Sequence, residues 1–543
     1  MKKNNVSIRI AVFTLAVILG IAGLSLVPPF SLFGMEFERV DILSELRPAG
    51  TTLNTEEDYT ANFDLLEQEL AVAEAHICDA DTIAEPIPVR YEWIVSEAPA
   101  HRTKLLLSSD IAPSNSKVHD FEDFDTLAVT RLDAFIDKLA EGKSVRIAFM
   151  GDSFVEGDIL TSDLREELQS RFCGRGVGFV TADIPFSTVR KSVKRSSSNW
   201  KTYSVMKRKE ASESARDRFF ISAYLAEGRA GATTRWQATN AFPSLDSCSV
   251  ARILLVSRDT SRVQVTVCDT IHREFTIAGD ERVREIYIEA PADDIRIRVL
   301  EGNILCYGAS MEATGGVTVD NYSVRSNNGH AIFGTSATIN RQIDEILDYD
   351  LVVLQYGLNI MQQGQRVYAK YRDQLRDMIA YAERCFPNAA IVVMGVSDRW
   401  VKNAETEEYE PIGSVDALTL YQRAAADSCN VAFWNTSRVM QNLGGMPAFV
   451  ANGWAAKDYT HINYAGGRRI ARALSESIIA RVYRKLHTKE EAARIEAERI
   501  IKEQMMREQV DKHLREKLDS VAAIDMVHTT VDSLSVNNEM EEE

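Results

Sequence analysis

Cysteine is scarce in this chain of 543 residues: there are seven, standing singly at 78, 173, 248, 268, 306, 385 and 429. No two form a CxxC pair, so neither a zinc ribbon nor a thioredoxin-like redox site is encoded. The dispersed, odd count is no disulfide framework either; Cys248 and Cys268 could meet across a sheet, but read more simply as buried free thiols. Excess positive charge is also missing. Sixty-two Lys and Arg against 79 Asp and Glu leave a net charge of −17. No basic stripe offers the footprint that a phosphate backbone requires, so no nucleic acid partner is expected. With 45% hydrophobic and 26% charged residues, the composition excludes both a mainly disordered chain and a multi-span membrane protein. The length exceeds what one compact core holds.

One long apolar run is present, and it lies at the amino end. Ile10 to Val27 carries no charge, and Pro28, Pro29, Phe30, Leu32 and Phe33 prolong it beyond a usual signal-peptide core. Lys2, Lys3 and Arg9 precede the run, whereas Glu36, Glu38 and Asp41 follow it. The positive-inside bias then puts the amino terminus in the cytoplasm and everything after residue 35 outside. Residues 1–35 read as a single-pass signal anchor in the inner (cytoplasmic) membrane, with a cleaved signal peptide as the alternative. The remaining chain is expected to be extracytoplasmic, in a periplasm where the host has two membranes.

Along the chain, 36–120 mixes short apolar pieces with Pro, Ser and acidic residues, and no function is assigned to it. From 121 the pattern sharpens. Leu127, Val129, Leu132, Phe135, Ile136 and Leu139 recur at helical spacing, and Val145–Met150 reads as a buried strand running into Gly151-Asp152-Ser153. A helix over about 160–172 completes a strand–turn–helix unit within 121–180. Between 181 and 312, apolar residues alternate at period two, as in Val263/Val265/Val267 and Ile295/Ile297/Val299. Such strands without intervening helices predict an inserted β-sandwich. Strands at 350–354, 390–394 and 431–434 then alternate with helices over 313–487, which predicts a flavodoxin-like three-layer α/β/α domain. A charged helix at 488–520 carries a loose apolar stripe that suits a coiled-coil partner or a solvated helix. The acidic residues 521–543 are expected to be disordered.

Three short stretches carry chemistry. Ser153 ends a buried strand ahead of a helix, where a turn lifts its hydroxyl above the sheet edge and its own amide can stabilise an oxyanion. Such a serine needs a base. Of nine histidines, His461 stands in Asp458-Tyr-Thr-His461, on a loop before the last helix of the domain. A carboxylate three residues earlier can reach its Nδ1 within one turn. Gln355-Tyr-Gly357-Leu-Asn359 closes another strand, so the Asn359 amide can point over the same edge.

Taken in order, these pieces resemble the SGNH/GDSL hydrolase superfamily, whose blocks begin with Gly-Asp-Ser, include Gly-x-Asn and end with Asp-x-x-His. The resemblance covers roughly 125–180 and 315–485. It implies a Ser153 nucleophile, a His461 base oriented by Asp458, and oxyanion donors from the Ser153 amide and Asn359. Ile360 stands where the family's third block usually has a second Asp. The second block matches best at Asn321-Tyr-Ser-Val-Arg325-Ser326-Asn-Asn-Gly329, where Ser326 aligns with the family's oxyanion glycine and Gly329 is the other candidate.

By the same resemblance, the chain looks like an extracytoplasmic carbohydrate O-acetylesterase, one that removes O-acetyl groups from an envelope glycan such as peptidoglycan or a polysaccharide. The alternatives are an O-acetyltransferase using the same triad, fed by a membrane acyl donor protein, and a non-catalytic glycan-binding or scaffold protein. Trp236 and Phe242 are aromatic candidates for stacking on sugars, or for the core of the insert. No cluster of metal ligands calls for a cofactor.

Overall fold

The computed structural model describes residues 30–32, 35–37, 90–97, 111–114 and 118–486, apart from 186–189, 246 and 404. Most of the expected anchor, much of 36–120, and the helix and tail beyond 487 lie outside the described residues. Residues 1–85 form one unit, in which Phe30–Leu32 pairs antiparallel with Met35–Phe37. Among the described residues, no helix is long and apolar enough to cross a membrane.

The second unit, 86–543, is built on a parallel sheet: β1 (Val145–Gly151), β2 (Val317–Ser323), β3 (Leu351–Gln355), β4 (Ala390–Met394) and β5 (Ala432–Trp434). The order is β2-β1-β3-β4-β5, with Glu122–Asp123 added antiparallel at the β5 edge. This is the flavodoxin-type order, with its switch point between β1 and β3. Every residue of β1, β3 and β4 is buried, because helices cover both faces. Alternate side chains serve opposite cores. Ile147, Phe149 and Val353 pack with α1 (Arg131–Ala140), α2 (Thr161–Phe172) and the closing helix Tyr464–Leu486. Ala148, Met150, Val352 and Leu354 pack with Ala337–Leu347, Ala369–Cys385 and Val415–Ser428. Continuous apolar runs in sequence are thus strands with two buried faces.

The first helix starts later than its periodicity suggests. Thr130 accepts a hydrogen bond from the Asp133 amide as N-cap, so Leu127 and Val129 precede the helix and are 58% exposed.

The insert is one hydrogen-bonded sheet of ten strands, whose halves close on a shared core that includes Ile253, Leu255, Ile286, Val263, Val265, Ile295 and Ile297. Val250–Ser257 is buried along nearly its whole length: Ile253 and Leu255 face that core, while Leu254 and Val256 join the core of the α/β sheet. Strands from outside 181–312 enter this sheet. Gly178–Thr181 pairs with Asn303–Glu312, and Arg90–Ile94 runs parallel to Val283–Glu289. Trp236 is fully buried in the insert core with its Nε1 donating to Thr181 O at 3.1 Å, so it is no sugar platform; Phe242 packs at the margin of the same core. Cys173, Cys248, Cys268, Cys306, Cys385 and Cys429 are free thiols; Cys248 is buried as expected, whereas Cys268 stands exposed in the turn after its strand.

A buried ionic network joins insert and sheet. Arg146 on β1 donates to Asp320 on β2 (2.7 Å) and to Glu312 (2.7 Å), and Glu312 also accepts from Arg252 at 2.7 Å. Burial alone would raise the Glu312 carboxyl; the two guanidiniums outweigh it and hold the group at about 2.

Candidate functional site

Strand register sets the site. Gly151 is level with Ser323 on one side and with Gln355 on the other. Ser153, Ser326 and Asn359 follow those ends by two, three and four residues, so all three lie along the carboxyl edge of the sheet, where ligands bind in open α/β folds. Gly151 is required by close approach: a Cβ there would lie 2.5 Å from Val155 Cγ2. Gly357 is required by its φ of 125°.

The loops are tied to one another. Val324 N donates to Gly151 O at 2.9 Å, and Asn321 Nδ2 donates to Val155 O and Thr161 Oγ1 at 2.8 and 2.7 Å. Ser326 has φ +58° in the turn closed by Asn327 N and Val324 O (3.3 Å), a left-handed position suited to glycine. Ser326 adopts that conformation without being glycine. Gly329 is committed elsewhere: its amide donates to Asn327 Oδ1 at 2.9 Å, and its α-carbon packs beneath Met378. Among the described residues, the amides of Ser153 and Ser326 donate to no protein acceptor.

Asp458 and His461 are brought together. Asp458 Oδ2 lies 2.7 Å from His461 Nδ1, while Oδ1 accepts the amides of Thr460 (2.9 Å) and His461 (3.0 Å). Burial pushes the Asp458 carboxyl up, but these hydrogen bonds prevail and hold it at about 2, so it is an anion at neutral pH. The histidine loop is docked on the serine turn through Tyr464, whose hydroxyl donates to Gly157 O at 2.6 Å. No hydrogen bond joins His461 to Ser153, which is half-buried. In unliganded sites such bonds are often long and tighten only with substrate.

Asn359 Nδ2 donates to Asp152 Oδ2 at 3.2 Å and to Asn327 O at 3.0 Å. Asp152 and Asn327 therefore position it, two roles that sequence reasoning missed. Asp152 is fully buried, and desolvation raises its carboxyl to about 7 against the Phe154 amide and the nearby His461 charge. Its place inside Gly-Asp-Ser was the available signal. Arg399 was missed as well. It donates to Leu358 O at 3.3 Å and, among the described residues, has no carboxylate within ion-pair distance.

In chemical terms, the edge supplies a hydroxyl, an imidazole backed by a carboxylate, and uncommitted amide donors, which is the equipment of acyl transfer through a covalent serine. Among the described residues, no group of three His, Cys, Asp or Glu side chains can hold a metal ion.

No family model and no curated protein matches the chain. Solved structures do. A peptidoglycan O-acetylesterase, captured "in action, 5 min", superposes with a TM-score of 0.55 at 21% identity, over 67% of this chain and 99% of that one. A family two carbohydrate esterase from Cellvibrio japonicus matches at 10% identity over 53% and 99% of the respective chains, with a TM-score of 0.22. The first of these likenesses shows a shared fold.

Proposed function

We propose that this chain is a serine esterase that removes O-acetyl groups from an envelope glycan. His461 takes the Ser153 proton as Oγ attacks the ester carbonyl. The oxyanion is held by the Ser153 and Ser326 amides and by Asn359, once one Nδ2 hydrogen turns from Asp152 (3.2 Å) to the substrate, and collapse expels the sugar hydroxyl, which recovers the proton from His461. Water, deprotonated by His461, then releases acetate and frees Ser153. Asp458 fixes the imidazole tautomer throughout. The observation that carries this reading is the Asp458–His461 pair at 2.7 Å on the edge that also holds Ser153 and two uncommitted amides. The fold shared with a peptidoglycan O-acetylesterase supports both the reaction and the substrate class. The apolar run before residue 35, flanked by Lys2, Lys3 and Arg9, supports a membrane anchor with the site outside the cytoplasm.

The experiment is acetate release by the full-length chain from a chromogenic acetyl ester and from an O-acetylated glycan, wild type beside Ser153→Ala. Wild type is expected to turn over both, and the alanine variant to lose at least about 10³-fold in kcat. Transfer to an unacetylated glycan offered in excess would make the chain an O-acetyltransferase. The missing Ser153–His461 hydrogen bond favours a second reading, a glycan-binding scaffold; equal inertness of both proteins on every ester would establish it.

A further inference from the structure

Between the sheet edge and the insert lies a cleft of about 70 Å³. Sites that enclose a whole small ligand run to about 300–1,000 Å³, so this one suits a substituent. Both parts of the unit line it: Glu156 and Gly157 from the turn after Ser153, Ser323 and Arg325 from the loop leading to Ser326, and Arg190 and Arg195 from the insert.

Three arginines in so small a space require counter-charge. Two have it. Arg325 Nε lies 2.7 Å from Glu156 Oε2, and Arg190 Nε lies 3.0 Å from Asp158 Oδ2. Among the described residues, Arg195 has no carboxylate within ion-pair distance, and its one hydrogen bond there runs from Nη1 to Thr181 Oγ1 at 2.8 Å. Asp183, whose charge acts on it, already accepts from Ser197 and Thr202, each at 2.5 Å. Burial, with the like charge of Arg190 adding to it, pushes the Arg195 guanidinium down to about 10. Among the described residues, the Nε and Nη2 donors of its planar fork therefore stand without a protein acceptor, in a cleft that adjoins the serine turn. A guanidinium in that state is completed by a planar anion, and a carboxylate matches its fork.

We propose that this cleft is an anion subsite in which Arg195, supported by Arg190, holds a carboxylate carried by the glycan close to the acylated hydroxyl. The proposal rests on the esterase reading for its orientation, and it makes the substrate an acidic glycan whose charge is read by the insert.

The test uses the full-length chain carrying Ser153→Ala, so that nothing turns over, and measures binding by calorimetry. Two matched pairs are offered: N-acetylmuramic acid against N-acetylglucosamine, which lacks the lactyl carboxylate, and glucuronic acid against glucose. Inorganic phosphate is the third arm. Each acid is expected to bind about tenfold or more tightly than its neutral twin, and phosphate more weakly than either acid. Adding Arg195→Gln should bring the ratio below about threefold. Where that variant does not fold, Arg195→Lys keeps the charge without the fork and must weaken acid binding alone. Equal binding of the twins, a preference that survives either Arg195 variant, or phosphate binding ahead of the acid sugars overturns the proposal. Acetate release plays no part here, so failure of the esterase reading is recognised separately.

Discussion

Asp158 closes the turn that follows Ser153, and its removal has a calculable cost. The residue is wholly buried. Oδ1 accepts from Thr161 Oγ1 at 2.8 Å; Oδ2 accepts from Ser192 and from Arg190 Nε at 3.0 Å, with Arg165 Nη1 at 3.5 Å. Burial alone would raise the carboxyl, but Arg190 and Arg165 outweigh it and hold the group far below the usual carboxylate range. Asp158→Asn keeps the shape and deletes the charge. Two guanidiniums then remain, with side-chain exposures of 15% and 1%, and only neutral acceptors answer them: the new amide oxygen, Phe179 O for Arg190 and Val319 O for Arg165. Breaking a buried pair in this way costs about 3–5 kcal/mol. The lower end applies, since Arg165 keeps two short bonds to Val319 O. A loss of about 3 kcal/mol lowers Tm by roughly 5–10 °C, measurable by thermal and denaturant unfolding. A folded-state value below the unfolded one means that this stability is present above about pH 4 and lost as pH falls further. The deficit of the variant should therefore be constant from about pH 5 to 8 and shrink below about 4. Arg190→Met added to Asp158→Asn should restore part of the loss. A deficit under about 1 kcal/mol, or one that grows in acid, would refute the reasoning.

Two further outcomes are expected. Asn359→Ala removes the side-chain amide proposed to turn from Asp152 to the oxyanion and should lower kcat by about 10²–10³-fold; a loss under about threefold would take Asn359 out of the oxyanion site. Asp152 carries the opposite sign from Asp158. Its folded value of about 7 lies above the unfolded one, so stability falls as pH rises from about 4 to 7, by up to about 1.4 kcal/mol per pH unit. Asp152→Asn should flatten that slope in denaturant titrations across this range, and an unchanged slope counts against a protonated Asp152.

What could be read in the chain follows from which interactions are local. The β1, β3 and β4 strands were legible because both faces are buried and the apolar run is unbroken. Val193–Ser204 was not: its pattern alternates with Lys, Arg and a run of serines, half of it faces solvent, and pairing with Tyr224–Ala238 fixes it. Arg90–Ile94 joins a strand nearly two hundred residues away and announces nothing locally. Within the site, Ser153, Asp458 and His461 stood out as short motifs. Asp152, Asn327 and Arg195 did not, since their roles come from groups that only the folded chain brings near.

The pairing of Val145 with Val317 has a consequence for how the chain is made. β1 leaves the ribosome long before β2, and at about 5–20 residues per second the wait is about 10–30 s. For that interval an apolar strand has neither of its final neighbours, the condition under which nascent chains stick to one another. Arg146 sits second in that strand. Before Asp320 and Glu312 arrive, its charge discourages edge-to-edge association, as a gatekeeper does. Once they arrive, the same charge becomes the clasp between insert and sheet, so that clasp forms only after the whole insert has been made.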